Sequence, residues 1–173
     1  SVEKSQMVVR PYEATKLGVE NVAENNFSVG MPTVREKCCN YLIVEGEEYV
    51  LNFNKWNGFL CKYQVEKREL INDGGQLSPN FWRAPTDNDF GANLQRKFID
   101  WKNPEQKLKD FKIEKQGTLV KIIASYELPK LFANLTMTYT INGAGEIGVN
   151  EQLTVDKSKE NMPHLFLFGM QLV

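Results

Sequence analysis

Apolar and polar residues alternate with a period of two along most of this chain. Thr118–Glu127 shows it plainly: Val120, Ile122, Ala124 and Tyr126 share one face, while Leu119, Lys121, Ile123 and Ser125 share the other. Leu131–Ile141 alternates apolar residues with Thr from Leu135 on. Turn formers separate these runs. Gly46-Glu47 lies between Tyr41–Glu45 and Glu48–Phe53, which predicts a tight hairpin. Asn57-Gly58, between Tyr49–Phe53 and Phe59–Val65, predicts a second. Gln116-Gly117 turns Leu108–Lys115 into Thr118–Glu127, and Asn142-Gly143-Ala144-Gly145 joins Leu131–Ile141 to Glu146–Val155. Pro163–Val173 is a further strand-like apolar run. About ten strands at regular spacing predict an all-β chain built as an antiparallel β-sandwich or barrel.

One segment has another period. Leu94, Phe98 and Trp101 recur at i, i+4 and i+7 within Ala92–Lys102, which predicts a short amphipathic helix inside a long connection. Glu13–Glu36, with Gly18, Asn25-Asn26, Gly30 and Pro32, reads as a linker or a meandering edge segment.

Composition narrows the function classes. The 173 residues are 42% hydrophobic and 25% charged, an ordinary globular mix. With 21 basic and 22 acidic residues the formal net charge is −1, so the electrostatic footprint of a nucleic-acid binder is missing. No apolar run approaches the roughly 20 residues of a membrane-spanning helix. The chain opens on Ser1 rather than Met and is expected to be a piece of a longer one. Cys38, Cys39 and Cys61 form no C-x-x-C, and the single histidine, His164, is distant, so zinc spacing is not met. The thiols are read as incidental. A lone histidine also leaves little for a Ser-His or Cys-His scheme.

The densest chemistry lies in Pro79–Gly91, which reads PNFWRAPTDNDFG. Pro85 stiffens the backbone and disfavours helix at Ala84. Asp87, Asn88 and Asp89 are turn formers, and Gly91 permits a positive φ. Arg83 precedes them, and a guanidinium fork held by one of the two aspartates is the expected use of that mix. In an extended segment Asp87 and Asp89 would share a side about 6.5–7 Å apart, resembling a catalytic dyad. Arg83 nearby would instead hold an aspartate ionised, so the motif is read as structural. A calcium loop here lacks the later bidentate acid, and no metal site is assigned. Trp56, Trp82 and Trp101 are read as packing residues rather than a sugar-stacking platform. His164 is read as a strand-start residue, and the sequons at Asn26 and Asn134 as bare.

Phe81–Gly91 resembles the F-x-R-A-P-x-D-N-D-x-G string of the C-terminal large domain of β-galactosidases in glycoside hydrolase family 2. Phe53–Leu60 is similar to that family's F-x-x-x-x-G-x-L hairpin, and Trp101 stands where the family often carries a Trp. The chain departs at Phe166-Leu167-Phe168-Gly169, where the family usually has Pro-Arg-x-Gly; the glycine is kept, and the Pro and Arg are not. The resemblance implies a galactose-mutarotase-like β-supersandwich, truncated, with residues 40–173 its N-terminal half. Residues 1–39 would be the tail of a preceding immunoglobulin-like domain plus linker. It implies a non-catalytic part of a retaining glycosidase acting on terminal β-D-galactosides, whose two catalytic glutamates lie on a barrel domain that is not here. On this chain it implies no catalytic residue, a rim loop at Gly91, Ala92 and Asn93, and a structural motif of Arg83, Asp87, Asn88 and Asp89. The family often uses Mg and Na, but no cofactor is expected on this piece. The implied partners are the parent's barrel and immunoglobulin-like domains and, through them, the galactoside. Self-association into a dimer is expected, with Met7-Val8-Val9 free to pair. A stand-alone carbohydrate-binding sandwich and a structural adhesion-like module are the alternatives.

Overall fold

The computed structural model describes residues 2–9, 30–72, 74–156 and 167–172, the first of these stretches as backbone only. It is an all-β antiparallel sandwich of two sheets. In chain order the strands are β1 (Val2–Val9), β2 (Thr33–Lys37), β3 (Tyr41–Glu45), β4 (Tyr49–Asn54), β5 (Leu60–Val65), β6 (Arg68–Ile71) and β7 (Leu77–Asn80). Then come three short helices, α1 (Asp87–Gly91), α2 (Leu94–Lys97) and α3 (Ile99–Lys102). The remaining strands are β8 (Lys107–Gln116), β9 (Leu119–Leu128), β10 (Ala133–Ile141), β11 (Ile147–Val155) and β12 (Gly169–Leu172). One sheet runs β1-β11-β10-β9-β8 and the other β12-β7-β5-β4-β3-β2, with β6 paired to β5.

The alternation read from the sequence becomes the inner faces. Val120, Ile122, Ala124, Tyr126 and Leu128 of β9 are buried, as are Leu135, Met137, Tyr139 and Ile141 of β10. They meet Leu42, Val44, Leu51, Phe53, Leu60 and Tyr63 of the other sheet in one continuous core. Phe53 meets Tyr139 edge-on at 5.0 Å, and Phe59 meets Tyr126 at 5.6 Å. Sandwich cores of this kind keep two sheets about 10 Å apart.

Tyrosine hydroxyls close the core where hairpin turns cross it. Tyr49 and Tyr63 donate to the carbonyls of Asn142 and Gly145 in the β10–β11 turn, at 2.9 and 2.8 Å. Tyr126 donates in the opposite direction, to Asn57 in the β4–β5 turn. Two turn glycines make room for these rings. A Cβ on Gly58 would lie 2.4 Å from the Tyr126 hydroxyl, and one on Gly145 would lie 2.7 Å from the Tyr49 ring. Both also hold positive φ, +74° and +83°, which disfavours any side chain.

The edges differ in character. β1 adds to the free side of β11, with Met7 opposite Val149, so the Met7–Val9 backbone expected to be free to pair is paired within the chain. β2, from the segment read as a linker or edge, is the edge strand beside β3. β8 is exposed from Lys112 to Gln116 and charged there, a composition that discourages edge-to-edge pairing. His164 and the sequon at Asn26 lie outside the described residues, while Asn134 is exposed on β10.

The expected helix over Ala92–Lys102 is broken in two. Phe98 adopts φ −110° and ψ 18°, which ends α2 and starts α3. Trp101 from α3 is 1% exposed and packs 5.6 Å from Phe81, which in turn stacks on Phe168 at 5.9 Å. These three rings anchor the long β7–β8 connection to the sandwich and fix where its motif sits.

Candidate functional site

The Pro79–Gly91 string leaves the end of β7 and folds onto one charge pair. Asn80 first turns the chain, its side-chain oxygen accepting the Trp82 N–H at 3.0 Å. Arg83 then grips Asp89 with both ends of its fork, Nη1 to Oδ2 at 2.7 Å and Nη2 to Oδ1 at 3.1 Å. The same Oδ2 accepts the Thr86 N–H at 2.7 Å and the Thr86 hydroxyl at 2.9 Å. Thr86 is the N-cap of α1, and Asp89 is its third helical residue, the position from which a carboxylate reaches back to cap. One buried carboxylate therefore fixes both the arginine and the helix start.

The electrostatics follow. The Arg83 guanidinium, with the Thr86 N–H, holds the Asp89 carboxyl down to about 2. Asp87 and Asn88 are exposed on the same turn. The extended geometry that would set Asp87 and Asp89 side by side is not formed, because Thr86 starts a helix there and a two-residue step no longer shares a face. Gly91, Ala92 and Asn93 follow at once and are all exposed, with Asn93 in the left-handed region at φ 57°. Phe90 is 56% exposed beside them. Trp82 is half-buried, with the Lys102 ammonium 5.8 Å above its ring.

A polar cavity of about 440 Å³ is lined by Phe59, Phe81 and Trp101 together with residues that include Asn80, Gln106 and Gln171. Its acidic member, Glu105, is paired with Lys130 at 3.0 Å, which lowers the Glu105 pKa. Such walls offer hydrogen bonds but no free acid/base pair. Among the described residues no three His, Cys, Asp or Glu side chains converge.

The tryptophans divide. Trp101 is core, as expected, but Trp56 is 77% exposed, its indole N–H held by Asn40 at 3.0 Å. Cys38 and Cys39 are exposed in the β2–β3 turn, and the Cys61 thiol contacts the Asn52 carbonyl.

One notable residue escaped the sequence reading. Glu151 lies on β11 between Val149 and Leu153, on the inward face, and is fully buried. Neither carboxylate oxygen has a hydrogen-bond partner among the described residues. The signal was there: a single acid interrupts the apolar positions Ile147, Val149, Leu153 and Val155.

The sequence is similar to that of known proteins. The profile described as beta galactosidase small chain matches residues 45–173. The chain is 32% identical to a β-galactosidase of Priestia megaterium over 132 residues, 75% of this chain and 13% of that protein. It is 31% identical to one from Lactobacillus delbrueckii subsp. bulgaricus over 132 residues, again 75% and 13%. It is 28% identical to one from Clostridium acetobutylicum over 130 residues, 73% and 14%. The chain thus spans only 13–14% of the length of these relatives.

Proposed function

The chain belongs to the β-galactosidase small-chain family, and on that premise we propose that it is a non-catalytic part of a longer retaining glycosidase of family 2 acting on terminal β-D-galactosides. Its contribution is architectural, with one exposed loop, Gly91–Asn93, at the rim of the active site. Residues 40–173 are read as the first half of a supersandwich, and residues 1–39 as the end of the preceding domain with its linker.

The Arg83–Asp89 clamp is the observation that carries this reading. Both carboxylates of the motif are accounted for without catalysis: Asp89 is consumed by Arg83 and Thr86, and Asp87 points to solvent as a helix-start residue. A nucleophile or an acid/base needs a carboxylate free to meet substrate, with its partner about 5–5.5 Å away in a retaining enzyme. What the clamp does supply is a rigid base for the three exposed residues that follow. In the longer protein, Gly91→Trp and Ala92→Trp, at two exposed positions, should raise KM for a chromogenic β-galactoside several-fold without moving the thermal midpoint. Unchanged kinetics in both variants would remove the rim loop from the site.

Trp56 favours a second reading, a carbohydrate-binding module, because its exposed face suits stacking on a sugar ring. Galactose titration of the chain, followed by tryptophan fluorescence in the native protein and in Trp56→Ala, tests it. Saturable quenching lost in the variant supports binding, and no quenching excludes it.

A further inference from the structure

The β7–β12 pair has two unlike faces. Leu77 stands opposite Leu172, and both line an apolar cavity of about 220 Å³. Ser78 stands opposite Gln171, one step along, so this pair faces the other way. It borders the polar cavity of about 440 Å³, which the α3–β8 connection from Trp101 to Gln106 also lines. Asn80, two residues beyond Ser78, continues the polar row. The cavity has the size of a small-molecule site.

Ser78 is only 7% exposed. Among the described residues no hydrogen bond reaches its hydroxyl, nor the side-chain amides of Gln106 and Gln171. The Asn80 side-chain oxygen accepts the Trp82 N–H, which leaves its two amide hydrogens to donate. A buried hydroxyl without a partner is unfavourable, so what fills the cavity is expected to supply one.

The charges and the neutral groups together select the class of ligand. Lys130 is paired with Glu105 at 3.0 Å, and Lys102 lies over the Trp82 ring. An anion therefore meets no cluster of unpaired cations, and Glu105 alone is no cage for a metal ion. What remains is one hydroxyl and three amides, neutral groups that between them donate and accept. That set complements a ligand made of hydroxyls. Phe59 and Trp101 add apolar wall for its C–H surface.

We propose that the cavity between the β7–β12 pair and the α3–β8 connection binds a neutral, hexose-sized sugar, with Ser78, Gln106 and Gln171 as its hydrogen-bond partners. The site belongs to this chain and holds no acid/base pair, so it binds without reacting. It goes beyond the glycosidase reading and does not involve Trp56.

The test is a titration of the chain with D-galactose up to about 50 mM, a range that covers millimolar affinity. Calorimetry and tryptophan fluorescence follow it. Saturable binding is expected, and it should persist in Trp56→Ala. Gln106→Leu and Gln171→Leu should each weaken it about two- to ten-fold, the loss of one or two hydrogen bonds, without moving the thermal midpoint. Ser78→Met, which fills the cavity, should abolish it. Galacturonate, the same ring with a carboxylate, should bind more weakly than galactose. Absence of saturation, equal affinity in the Gln106 and Gln171 variants, or tighter binding of galacturonate would overturn the proposal. Binding lost only in Trp56→Ala would overturn it in favour of the exposed tryptophan. Should the chain alone not melt cooperatively, the longer protein is titrated with its active site blocked by a covalent inhibitor. Residual galactose binding that Gln171→Leu weakens then supports the site, and none overturns it. β-Galactoside hydrolysis by the longer protein is measured separately, so failure of the enzymatic reading and failure of this site remain distinct.

Discussion

The hydroxyl of Tyr126 donates to the main-chain carbonyl of Asn57 at 2.6 Å, so a residue of one sheet seals a turn of the other. Asn57 also accepts the Phe59 N–H through its side chain, at 3.0 Å, which shapes the same turn. Gly58 lies between them because nothing larger fits under the hydroxyl.

That crowding predicts a coupled pair. Tyr126→Phe should cost about 1–2 kcal/mol through the lost hydrogen bond. Gly58→Ala should cost at least about 1–3 kcal/mol, from positive φ and overpacking together. Removing the hydroxyl relieves the closest clash, so the double variant should lose less than the sum of the single variants. Denaturant melts of all four proteins measure this. Strict additivity would mean that the turn moves away from Tyr126.

The acid clamp has a pH signature. Because the folded Asp89 carboxyl lies at about 2, below its ordinary value, its contribution to stability is present above that ordinary value and lost as pH falls through about 2. Asp89→Asn and Arg83→Ala should each lower the thermal midpoint at pH 7, and the deficit of Asp89→Asn should close near pH 2. Asp87→Asn, at an exposed position, should behave as the native protein. Melts at pH 7, 4 and 2 check the set.

The two tryptophans should separate by an order of effect. Trp101→Ala empties a fully buried site against Phe81 and should cost about 3–5 kcal/mol. Trp56→Ala changes an exposed residue and should stay within about 0.5 kcal/mol. Equal losses in chemical denaturation would contradict the burial assigned to either ring.

Much of this molecule could be read before folding. The period-two runs of β9, β10 and β11 and their Gly-containing turns were legible because one face of each strand is buried and the other is not, which imposes strict alternation. β6 was not legible. Arg68–Ile71 has three exposed residues and one buried one, so its strand character comes from pairing with β5 rather than from pattern. The helix break at Phe98 was hidden for a similar reason, since Leu94, Phe98 and Trp101 keep helical spacing while the aromatic cluster holding Trp101 sets the backbone path. At the site, residue types marked Arg83 as a partner for an aspartate. The choice of Asp89 over Asp87 depends on Thr86 starting a helix, which Pro85 and the acidic run did not announce. Glu151 was visible only as one acid in an apolar series, and its isolation is a property of the packed sheets.

The central claim is that this chain supports a β-galactosidase without performing its chemistry. The most direct measurement is hydrolysis of a chromogenic β-galactoside by the purified chain and by the longer protein at equal molarity. The account predicts turnover by the longer protein and none by the chain above the uncatalysed rate. Turnover that follows the purified chain through successive columns, and disappears with Asp87→Asn, would contradict it and place a catalytic carboxylate in the motif itself.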